Sequence, residues 1–355
     1  MSRKKIATAC IAGGVALLAI VSGPGARTTL AETPPARLRV YFIDVEGGQA
    51  TLFVTPAGQS LLIDTGWPGN NGRDADRIVT AAKDAGLSRL DYVLITHFHD
   101  DHVGGVPQLA GRIPVGTFLD HGENRELDKG QTERGYAAYL KLLATGQSKR
   151  MIVKAGEMLP ITGITVTVIS ADGNLISKPL SGAGKPNSYC QRTETHAADQ
   201  TENARSLGVE VRFGKLRLLD LGDLTWDKEM QLMCPVDKLG RMDVYVVSHH
   251  GWLQSSSPAL VNAIHARVAI MDNGAAKGGS IATFETLATA PGLEALWQLH
   301  FSEEGGAEHN AAAEYIANPK GTDAGSLLKL TAARDGSFEI LNARTGKIKR
   351  YAAIR

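Results

Sequence analysis

One short stretch of the chain concentrates the residue types best suited to binding metal. The segment YVLITHFHDDHVGG, residues 92–105, places His97, His99, Asp101 and His102 within six positions at the end of an apolar, β-branched run. In a chain with 10 histidines, this spacing has odds on the order of one in a few thousand of arising by chance. Residues i and i+2 of an extended chain point the same way, so His97 and His99 can offer nitrogens to one ion. Asp101 and His102 follow a turn and can serve a second ion nearby.

The donor types in this stretch also predict which metals it would bind. Imidazole and carboxylate donors without a thiolate suit zinc first, with manganese or iron as alternatives. We therefore expect a site for two ions, most simply two Zn²⁺.

Two further strand-like segments supply the donors that a two-metal site still needs. The run KLRLLDLGD, residues 215–223, ends at Asp223, and DVYVVSHHG, residues 243–251, ends with His249 and His250. Donors at the ends of apolar strands meet at a rigid sheet edge, so these segments should join the first one. Adjacent residues on an extended chain point oppositely, which predicts that only one of the two histidines faces the metals.

The elements that must position these residues alternate between short strands and helices. Clusters of strands followed by interleaved helices occur twice, which predicts two sheets packed face to face with helices outside, an α/β fold. The predicted strands are 37–45, 49–56, 60–66, 91–96, 115–119, 164–169, 207–213, 216–221, 243–247, 268–271 and 295–299, and the predicted helices are 75–85, 136–145, 258–265, 281–289 and 311–317. Residues 170–206 show little periodicity and are the candidate segment for covering a substrate.

The N-terminal residues have the pattern of a secretory signal peptide. A basic start at residues 3–5 precedes an apolar run, and small residues at Thr29 and Ala31 suit cleavage after position 31. An uncleaved membrane anchor is the alternative. We expect a signal peptide over residues 1–31 and one secreted or periplasmic domain over residues 32–355, without stable membrane association after cleavage.

Composition narrows the functional classes. The hydrophobic content of 43% with 39 Gly is typical of a globular protein and excludes collagen, coiled-coil, disordered and multi-span membrane classes. Residues 32–355 carry 34 basic and 37 acidic residues, a net charge of −3, and no Lys/Arg run. Strong binding to long polyanions is therefore not expected. The sequence also lacks a nucleophile elbow, a Ser-x-x-Lys pair, a P-loop, a paired Cys-x-x-Cys and a dinucleotide fingerprint.

The cysteine count bears on the compartment. Cys190 and Cys234 remain after signal cleavage. An even number in an oxidising compartment allows one disulfide, and two buried thiols are the alternative.

Together these motifs resemble those of the metallo-β-lactamase-fold hydrolase superfamily, over roughly residues 38–272. The resemblance implies a four-layer αββα sandwich with the metals at one edge. It also implies a role for each matching position: Asp64 in LLIDTG as a mainly structural aspartate, His97, His99, Asp101 and His102 as the second motif, Asp223 as the metal-bridging aspartate, and His250 as the last histidine ligand. Read from the residues alone, Asp64 is a buried strand-end residue that caps a turn rather than a ligand.

One histidine of the superfamily pattern has no clean match. His121 and His196 are candidates to replace this third-motif histidine, with a cleft-rim residue and an exposed loop residue as their other readings; Asn203 or water could also fill the position. The spacing from SLGVEVRFG, residues 206–214, to VVSHHG is similar to the hydrolase domain of competence proteins that act in DNA uptake.

These observations predict a secreted metal-dependent hydrolase in which a metal-bound hydroxide attacks a phosphodiester, in a nuclease-like or phosphodiesterase-like reaction. Asp101 and Asp223 are the expected catalytic residues, because they could orient the nucleophile as well as bind metal. The expected substrate is a small molecule or a short oligonucleotide. A β-lactam or lactone hydrolase is one alternative, and a non-catalytic secreted binding protein that retains metal is the other.

Overall fold

The computed structural model describes residues 36–126 and 130–354. The residues from Ala36 onward form one compact unit. The predicted signal peptide, residues 1–31, lies outside the described residues, so it stays a prediction, as do the domain boundary and the secreted location. Among the described residues, no helix combines the length and the apolar character needed to cross a membrane.

Seventeen strands lie within the described residues. In chain order they are β1 Leu38–Phe42, β2 Thr51–Val54, β3 Ser60–Ile63, β4 Leu90–Leu94, β5 Val115–Asp120, β6 Lys149–Ile152, β7 Thr165–Ala171, β8 Asn174–Leu175, β9 Gly208–Phe213, β10 Leu216–Asp220, β11 Val244–Val246, β12 Val268–Met271, β13 Ala295–His300, β14 Ile316–Asn318, β15 Leu328–Ala332, β16 Phe338–Asn342 and β17 Ile348–Tyr351.

The strands form two sheets. The first sheet has the order β17-β16-β15-β1-β2-β3-β4-β5-β6, and the second has the order β14-β13-β12-β11-β10-β9-β7-β8. Each sheet contains an antiparallel part and a parallel part. The parallel neighbours are β3 to β6 in the first sheet and β10 to β14 in the second. All carboxyl ends within one parallel part lie on the same edge of its sheet, and this is where side chains from different strands can meet.

Seven helices accompany the sheets within the same residues: α1 Arg73–Asp84, α2 Asp100–Val103, α3 Val106–Ala110, α4 Gly130–Leu143, α5 Trp226–Met233, α6 Pro258–Val261 and α7 Ile281–Ala288. Three hydrophobic clusters separate the layers. One joins residues of both sheets, such as Phe53 and Trp297. Another joins the first sheet to α1, α3 and α4, and a third joins the second sheet to α5, α6 and α7. The layers are therefore helix, sheet, sheet, helix, which confirms the predicted αββα sandwich.

The central strands have continuous apolar sequences because both of their faces are buried. Every residue of β2 (TLFV), β3 (SLLI) and β12 (VAIM) is buried, because helices cover one face of these strands and the other sheet covers the opposite face. Strands buried on both faces read as continuous apolar runs. By contrast, β15 alternates inward Leu328, Leu330 and Ala332 with more exposed neighbours.

Several parts of the chain differ from the sequence-based prediction, including strand β6 and helix α5, which were not predicted, and the helix predicted over 258–265, which ends at Val261. The helix predicted over 311–317 is wrong, because the Ala-rich stretch forms a 3-10 turn at Ala313–Tyr315 and then strand β14. Pairing of β14 with β13 overrides the local preference for helix. The C-terminal strands β15 to β17 complete the first sheet and were absent from the prediction.

The segment 170–206 is tied closely to the second half of the molecule. Cys190 and Cys234 form a disulfide, which selects the paired alternative over two thiols. The Asn187 amide donates to the carbonyl oxygens of Met233 and Ala259 at 3.2 and 2.9 Å. Much of the segment therefore packs on the helical layer of the second sheet, and its role in covering a substrate stays a prediction.

Candidate metal centre

The candidate site lies where the carboxyl ends of the two parallel sheet parts face each other. Asp64 follows β3, and its backbone N–H donates to the carbonyl oxygen of Leu94 at the end of β4 at 2.8 Å. His97 and His99 lie three and five residues after the end of β4 at Leu94. Asp223 follows β10 by three residues, and the turn Ser248–Gly251 follows β11. The parallel pairing aligns these strand ends, and this alignment brings together residues that lie up to 186 positions apart in the sequence.

The innermost part of the site consists of four buried side chains. Ligand-type atoms of Asp101, His102, Asp223 and His250 all lie within 4.8 Å of one another. The Nε2 atoms of His102 and His250 are 3.2 Å apart, and each lies 3.2 Å from Asp101 Oδ2. Asp223 approaches them from the other side, with Oδ2 at 3.3 Å from His102 Nε2 and Oδ1 at 3.5 Å from His250 Nε2. We call this group the inner set.

A buried network fixes the orientation of His102. Its Nδ1 lies 2.7 Å from Asp64 Oδ2, and Asp64 also accepts hydrogen bonds from the Thr96 backbone N–H at 2.8 Å and the Thr96 hydroxyl at 2.6 Å. A proton on Nδ1 leaves the Nε2 lone pair facing Asp101 and Asp223, which is the form that binds a metal. Asp64 therefore supports a histidine and does not cap its own turn, although it is not itself in the inner set.

His97 and His99 form a second group beside the inner set. His97 Nε2 lies 3.0 Å from His99 Nδ1 and 3.8 Å from Asp223 Oδ2. The far nitrogen of His99, Nε2, lies 3.3 Å from Glu126 Oε2. Glu126 can thus hold the His99 ring with Nδ1 turned toward His97, the same arrangement that Asp64 gives His102. We call His97, His99 and the shared Asp223 the outer set.

Both histidines at the end of β11 approach Asp223, contrary to the expectation that only one would face the metals. His249 Nε2 lies 3.4 Å from Asp223 Oδ2, and His250 Nε2 lies 3.5 Å from Asp223 Oδ1. The prediction assumed an extended chain, but the backbone φ angles are +57° at His249 and +56° at His250. This left-handed turn rotates neighbouring side chains toward the same side. Such strain in non-glycine residues persists only where surrounding structure enforces it, and it clusters at functional sites.

The charges differ between the two groups of histidines. Burial lowers the pKa of His97 well below its usual range, and the nearby His102 lowers it further. Burial also lowers the pKa of His249 to about 4, despite the attraction of Asp223. These two imidazoles are therefore neutral near pH 7 and can donate a lone pair to a metal.

The inner histidines are surrounded by carboxylates. Although burial alone would lower it, Asp223 and Asp101 raise the pKa of His102 well above its usual value. Burial and the positive charge of Lys277 lower the pKa of His250. The carboxylates of Asp223 and Asp272 raise it by more, and the resulting pKa is about 10. The inner set therefore stabilises positive charge between carboxylates, which is the electrostatic environment that a divalent cation requires.

The side chains fit a metal centre by their donor types and by an unsatisfied acceptor. Asp223 Oδ1 is buried and has no hydrogen-bond partner among the described residues. A buried carboxylate oxygen without a partner is costly unless a cation compensates it. Together with the converging imidazoles of the inner set, this identifies a site able to bind metal, of nitrogen and oxygen donors alone.

The structure separates the two candidates for the missing histidine from the site. His121 is buried, but its Nε2 lies 3.1 Å from Glu202 Oε2 and its ring packs on Phe98. His196 is exposed and stacks on Trp226 with ring centroids 4.3 Å apart. Neither contacts the inner or outer set. Asn203, by contrast, lies next to His249, and the distance between Asn203 Nδ2 and His249 Nε2 is 3.4 Å.

A cleft of about 420 Å³ opens over the metal centre. Its lining includes acidic residues, one of the β11 histidines, two tryptophans and two basic residues: Asp100, Asp101, Asp223, His249, Trp67, Trp252, Arg134 and Lys277. The Lys277 ammonium pairs with the Asp101 carboxylate, donates to the Gly47 carbonyl oxygen at 2.7 Å, and lies 4.9 Å from the centre of the Trp67 ring. The cleft therefore brings positive charge and aromatic surface next to the metal-binding donors.

Sequence reasoning missed Lys277, Glu126 and Asp272. Asp272 and Lys277 follow the end of β12, in the loop DNGAAKGG, so extending the strand-end argument to that strand would have found them. Glu126 lies in an irregular loop after β5, and no pattern in the sequence distinguishes it from other acidic loop residues.

Comparison with known proteins finds similarity over part of the chain. Residues 43–172 match the family model of the metallo-beta-lactamase superfamily. A hydroxyacylglutathione hydrolase from Stenotrophomonas maltophilia (strain R551-3) is 40% identical over 63 residues, which are 18% of this chain and 21% of that protein. The matched part of the chain thus spans about a fifth of the relative's length.

The solved structures matched to this chain have low sequence identity to it. The metallo-beta-lactamase fold protein YhfI from Bacillus subtilis is 12% identical, with a TM-score of 0.46 and coverage of 74% of this chain and 96% of YhfI. A diphosphatase of the PhnP family is 14% identical, with a TM-score of 0.36 and coverage of 67% and 87%. The family match and the two-sheet architecture together give the fold as a four-layer αββα sandwich of the metallo-β-lactamase type.

Proposed function

Because residues 43–172 match the metallo-beta-lactamase superfamily, we propose that this chain is a metal-dependent hydrolase that cleaves phosphodiesters in small molecules or short oligonucleotides. The observation that carries the proposal is the buried inner set, whose carboxylates Asp101 and Asp223 line a cleft together with Lys277. We further propose two Zn²⁺ ions as the native metals, with Mn²⁺ or iron as alternatives, and a secreted or periplasmic location.

The residues that would hold the ions are those of the inner and outer sets: His97, His99, Asp101, His102, Asp223 and His250. When bound, the metal would acidify water and stabilise negative charge that develops on the substrate. The protein supplies fixed positions for the donors, and buried Asp64 and Thr96 keep His102 in the required tautomer.

The carboxylates of the site are suited to orienting a water molecule. Burial favours the neutral acid, yet His102, His249 and His250 hold the pKa of Asp223 well below its usual range. Burial likewise opposes ionisation of Asp101, but Lys277 and His102 lower its pKa well below the usual value. Both residues are therefore ionised near pH 7 and can accept a hydrogen bond from an attacking water, the role predicted for them from the sequence.

With metal bound, the cleft would favour an anionic substrate, because the metal and the basic residues would together outweigh the carboxylates of Asp100, Asp101 and Asp223 in the lining. Lys277 and Arg134 contribute positive charge to its lining, and a fixed cation near the reacting centre stabilises phosphoryl oxygens. Trp252, whose surface is 38% exposed, adds an apolar face against which a base or an aryl leaving group could pack. The net charge of −3 over residues 32–355 favours small diesters and short oligomers over long nucleic acids.

A substrate panel tests this proposal. Metal-free protein is reloaded with Zn²⁺ or Mn²⁺ and assayed with bis(4-nitrophenyl) phosphate, a short oligonucleotide, plasmid DNA, nitrocefin and a simple lactone. We expect hydrolysis of the first two substrates, abolished by Asp101→Ala and by His99→Ala. His309→Ala is the matched control, because His309 contacts Glu285 and Phe284 away from the cleft.

The other outcomes separate the competing functions. Preference for nitrocefin or the lactone would replace the phosphodiester with a carbonyl substrate. Stoichiometric metal binding without turnover of any substrate would favour the non-catalytic binding protein. Binding of less than one equivalent of metal would contradict all of these functions.

A further inference from the structure

The outer set is incomplete without a further donor. His97 and His99 offer two imidazoles, and Asp223 is shared with the inner set. The third histidine of the superfamily pattern has no match in the sequence, and neither His121 nor His196 reaches the site.

The left-handed turn after β11 gives the two neighbouring histidines different partners. His250 Nε2 contacts Asp101 Oδ2, His102 Nε2 and the Oδ1 atom of Asp223. His249 Nε2 contacts the other carboxylate oxygen of Asp223, Oδ2, at 3.4 Å. Oδ2 is also the Asp223 oxygen nearest to His97, at 3.8 Å. The pair is therefore divided between the inner and outer sets.

From this arrangement we infer that His249 is the third imidazole ligand of the outer set and takes the place of the missing histidine. This inference rests on the metal-binding part of the proposed function. It assigns adjacent residues of one turn to two different metal positions, His249 to the outer and His250 to the inner.

The surroundings of His249 hold it in a form that can bind metal. His249 is buried, with 7% of its surface exposed, and its Nδ1 lies 3.4 Å from the Ser255 hydroxyl. An Nδ1–H donated to that hydroxyl leaves the Nε2 lone pair directed at Asp223, where the Asn203 amide N–H also approaches at 3.4 Å. Support of this kind at the far nitrogen is typical of metal-binding histidines.

The backbone of the turn is fixed by contacts on both sides. The His249 N–H donates to the Gly222 carbonyl oxygen at 3.1 Å, and the Gly279 N–H donates to the His250 carbonyl oxygen at 2.9 Å. A side chain at Gly278 would come within 2.2 Å of that same oxygen. The φ angles of +57° and +56° at the two histidines are therefore imposed by packing, and this packing turns both imidazoles toward Asp223.

Asn203 is the rival donor. Its Oδ1 is buried without a hydrogen-bond partner among the described residues, and it lines the same cleft. A neutral amide oxygen is a weaker ligand for zinc than an imidazole nitrogen. We therefore expect His249 and not Asn203 to bind the ion, and the contact between Asn203 Nδ2 and His249 Nε2 would give way to the metal.

The test measures bound metal and the absorption spectrum of Co²⁺-loaded protein, independently of activity. We expect about two equivalents in the wild type and about one in His249→Ala. His97→Ala should lose the same equivalent and the same part of the Co²⁺ spectrum, whereas His250→Ala should lose the other part. The double variant His97→Ala/His249→Ala should retain about one equivalent, because both residues belong to one set.

Two control variants change residues that we do not assign as ligands. Asn203→Ala and His196→Ala should both keep two equivalents. If His249→Ala fails to fold, judged by circular dichroism, His249→Gln is measured in its place. Two equivalents with an unchanged spectrum in the His249 variants, or loss of the outer metal in Asn203→Ala, would overturn the inference. A wild type that binds no metal would instead overturn the proposed function.

Discussion

The two halves of the metal centre are built in different ways. The half from the first sheet supplies His97, His99, Asp101 and His102 from one six-residue stretch, where the N–H groups of His102 and Val103 both donate to the His99 carbonyl oxygen at 3.0 Å. Local hydrogen bonds therefore set much of its geometry.

The half from the second sheet is assembled from distant segments. Asp223 follows β10, and His249 and His250 follow β11, with their turn held by the loop after β12. Glu229 on α5 accepts backbone N–H groups of Ser256 and Ser257 at 2.8 and 2.6 Å, just beyond that turn. The first-sheet half therefore depends on local spacing, whereas the second-sheet half depends on tertiary contacts. Four predictions test that difference.

The largest effect is expected at the residue shared by both metal sets. Asp223→Asn removes the charge and replaces one carboxylate oxygen with an amide nitrogen that cannot bind metal. Because His97, His102, His249 and His250 all face this carboxylate, we expect bound zinc to fall from about two equivalents to less than about one. Metal analysis after gel filtration measures it, and Asp335→Asn at an exposed turn is the control. Retention of both metals would show that the halves are not coupled through Asp223.

The second prediction concerns pH and the second-sheet half. Burial raises the pKa of Glu229 to about 7, so the folded protein holds a proton more tightly than the unfolded chain. The free energy of unfolding should therefore decrease as pH rises from about 4.5 toward 7, by about 3 kcal/mol from this group. Glu229→Gln should remove that decrease.

Urea unfolding of metal-free wild type, Glu229→Gln and the exposed control Glu308→Gln at pH 5 and pH 8 measures this dependence. The control should follow the wild type. An equal change in the free energy of unfolding between pH 5 and pH 8 in all three proteins would mean that Glu229 is already ionised at pH 5. The turn after β11 would then not rely on a buried neutral carboxyl.

The third prediction concerns the support behind His102. Asp64 is fully buried and accepts three hydrogen bonds, from Thr96 and His102. Asp64→Asn offers fewer acceptor positions and perturbs the His102 tautomer, so zinc affinity should fall by about 10- to 100-fold. Competition with a chromophoric chelator measures the affinity. An unchanged affinity would show that local spacing alone suffices for the first-sheet half.

The smallest effect is expected at Glu126, which has the same role toward His99. Its side chain is 14% exposed, and Glu126→Gln retains an oxygen that can accept the His99 N–H. We expect zinc affinity to fall by less than about tenfold, toward the lower limit for such supporting residues. The same competition assay applies, with Glu123→Gln on the surface as the control. If Glu126→Gln lowered zinc affinity as much as Asp64→Asn, the burial of a supporting carboxylate would not set how much it contributes to metal binding.

Sequence patterns predicted the layers of the fold better than its edges. Apolar runs such as SLLI and VAIM identified the central strands, because strands covered on both faces have little polar content. The strands at Leu328–Ala332 and beyond were missed, and residues 311–317 were assigned to a helix. At these positions, pairing with a neighbouring strand outweighs local preference.

The donor types and their spacing predict the chemistry of the candidate site. The spacing of His97, His99, Asp101 and His102, with donors at two later strand ends, predicted that imidazoles and carboxylates would converge, and they do. Such spacing is informative because the directions of side chains within one strand or one turn follow from local backbone geometry.

Tertiary contacts set which further residues join these donors. They turn both His249 and His250 toward Asp223, place Glu126 behind His99, bring Lys277 beside Asp101, and separate His121 and His196 from the inner and outer sets. The physical reason is that these relations depend on the handedness of one packed turn and on contacts between sheets, and both are set by the surrounding core rather than by neighbours in the sequence.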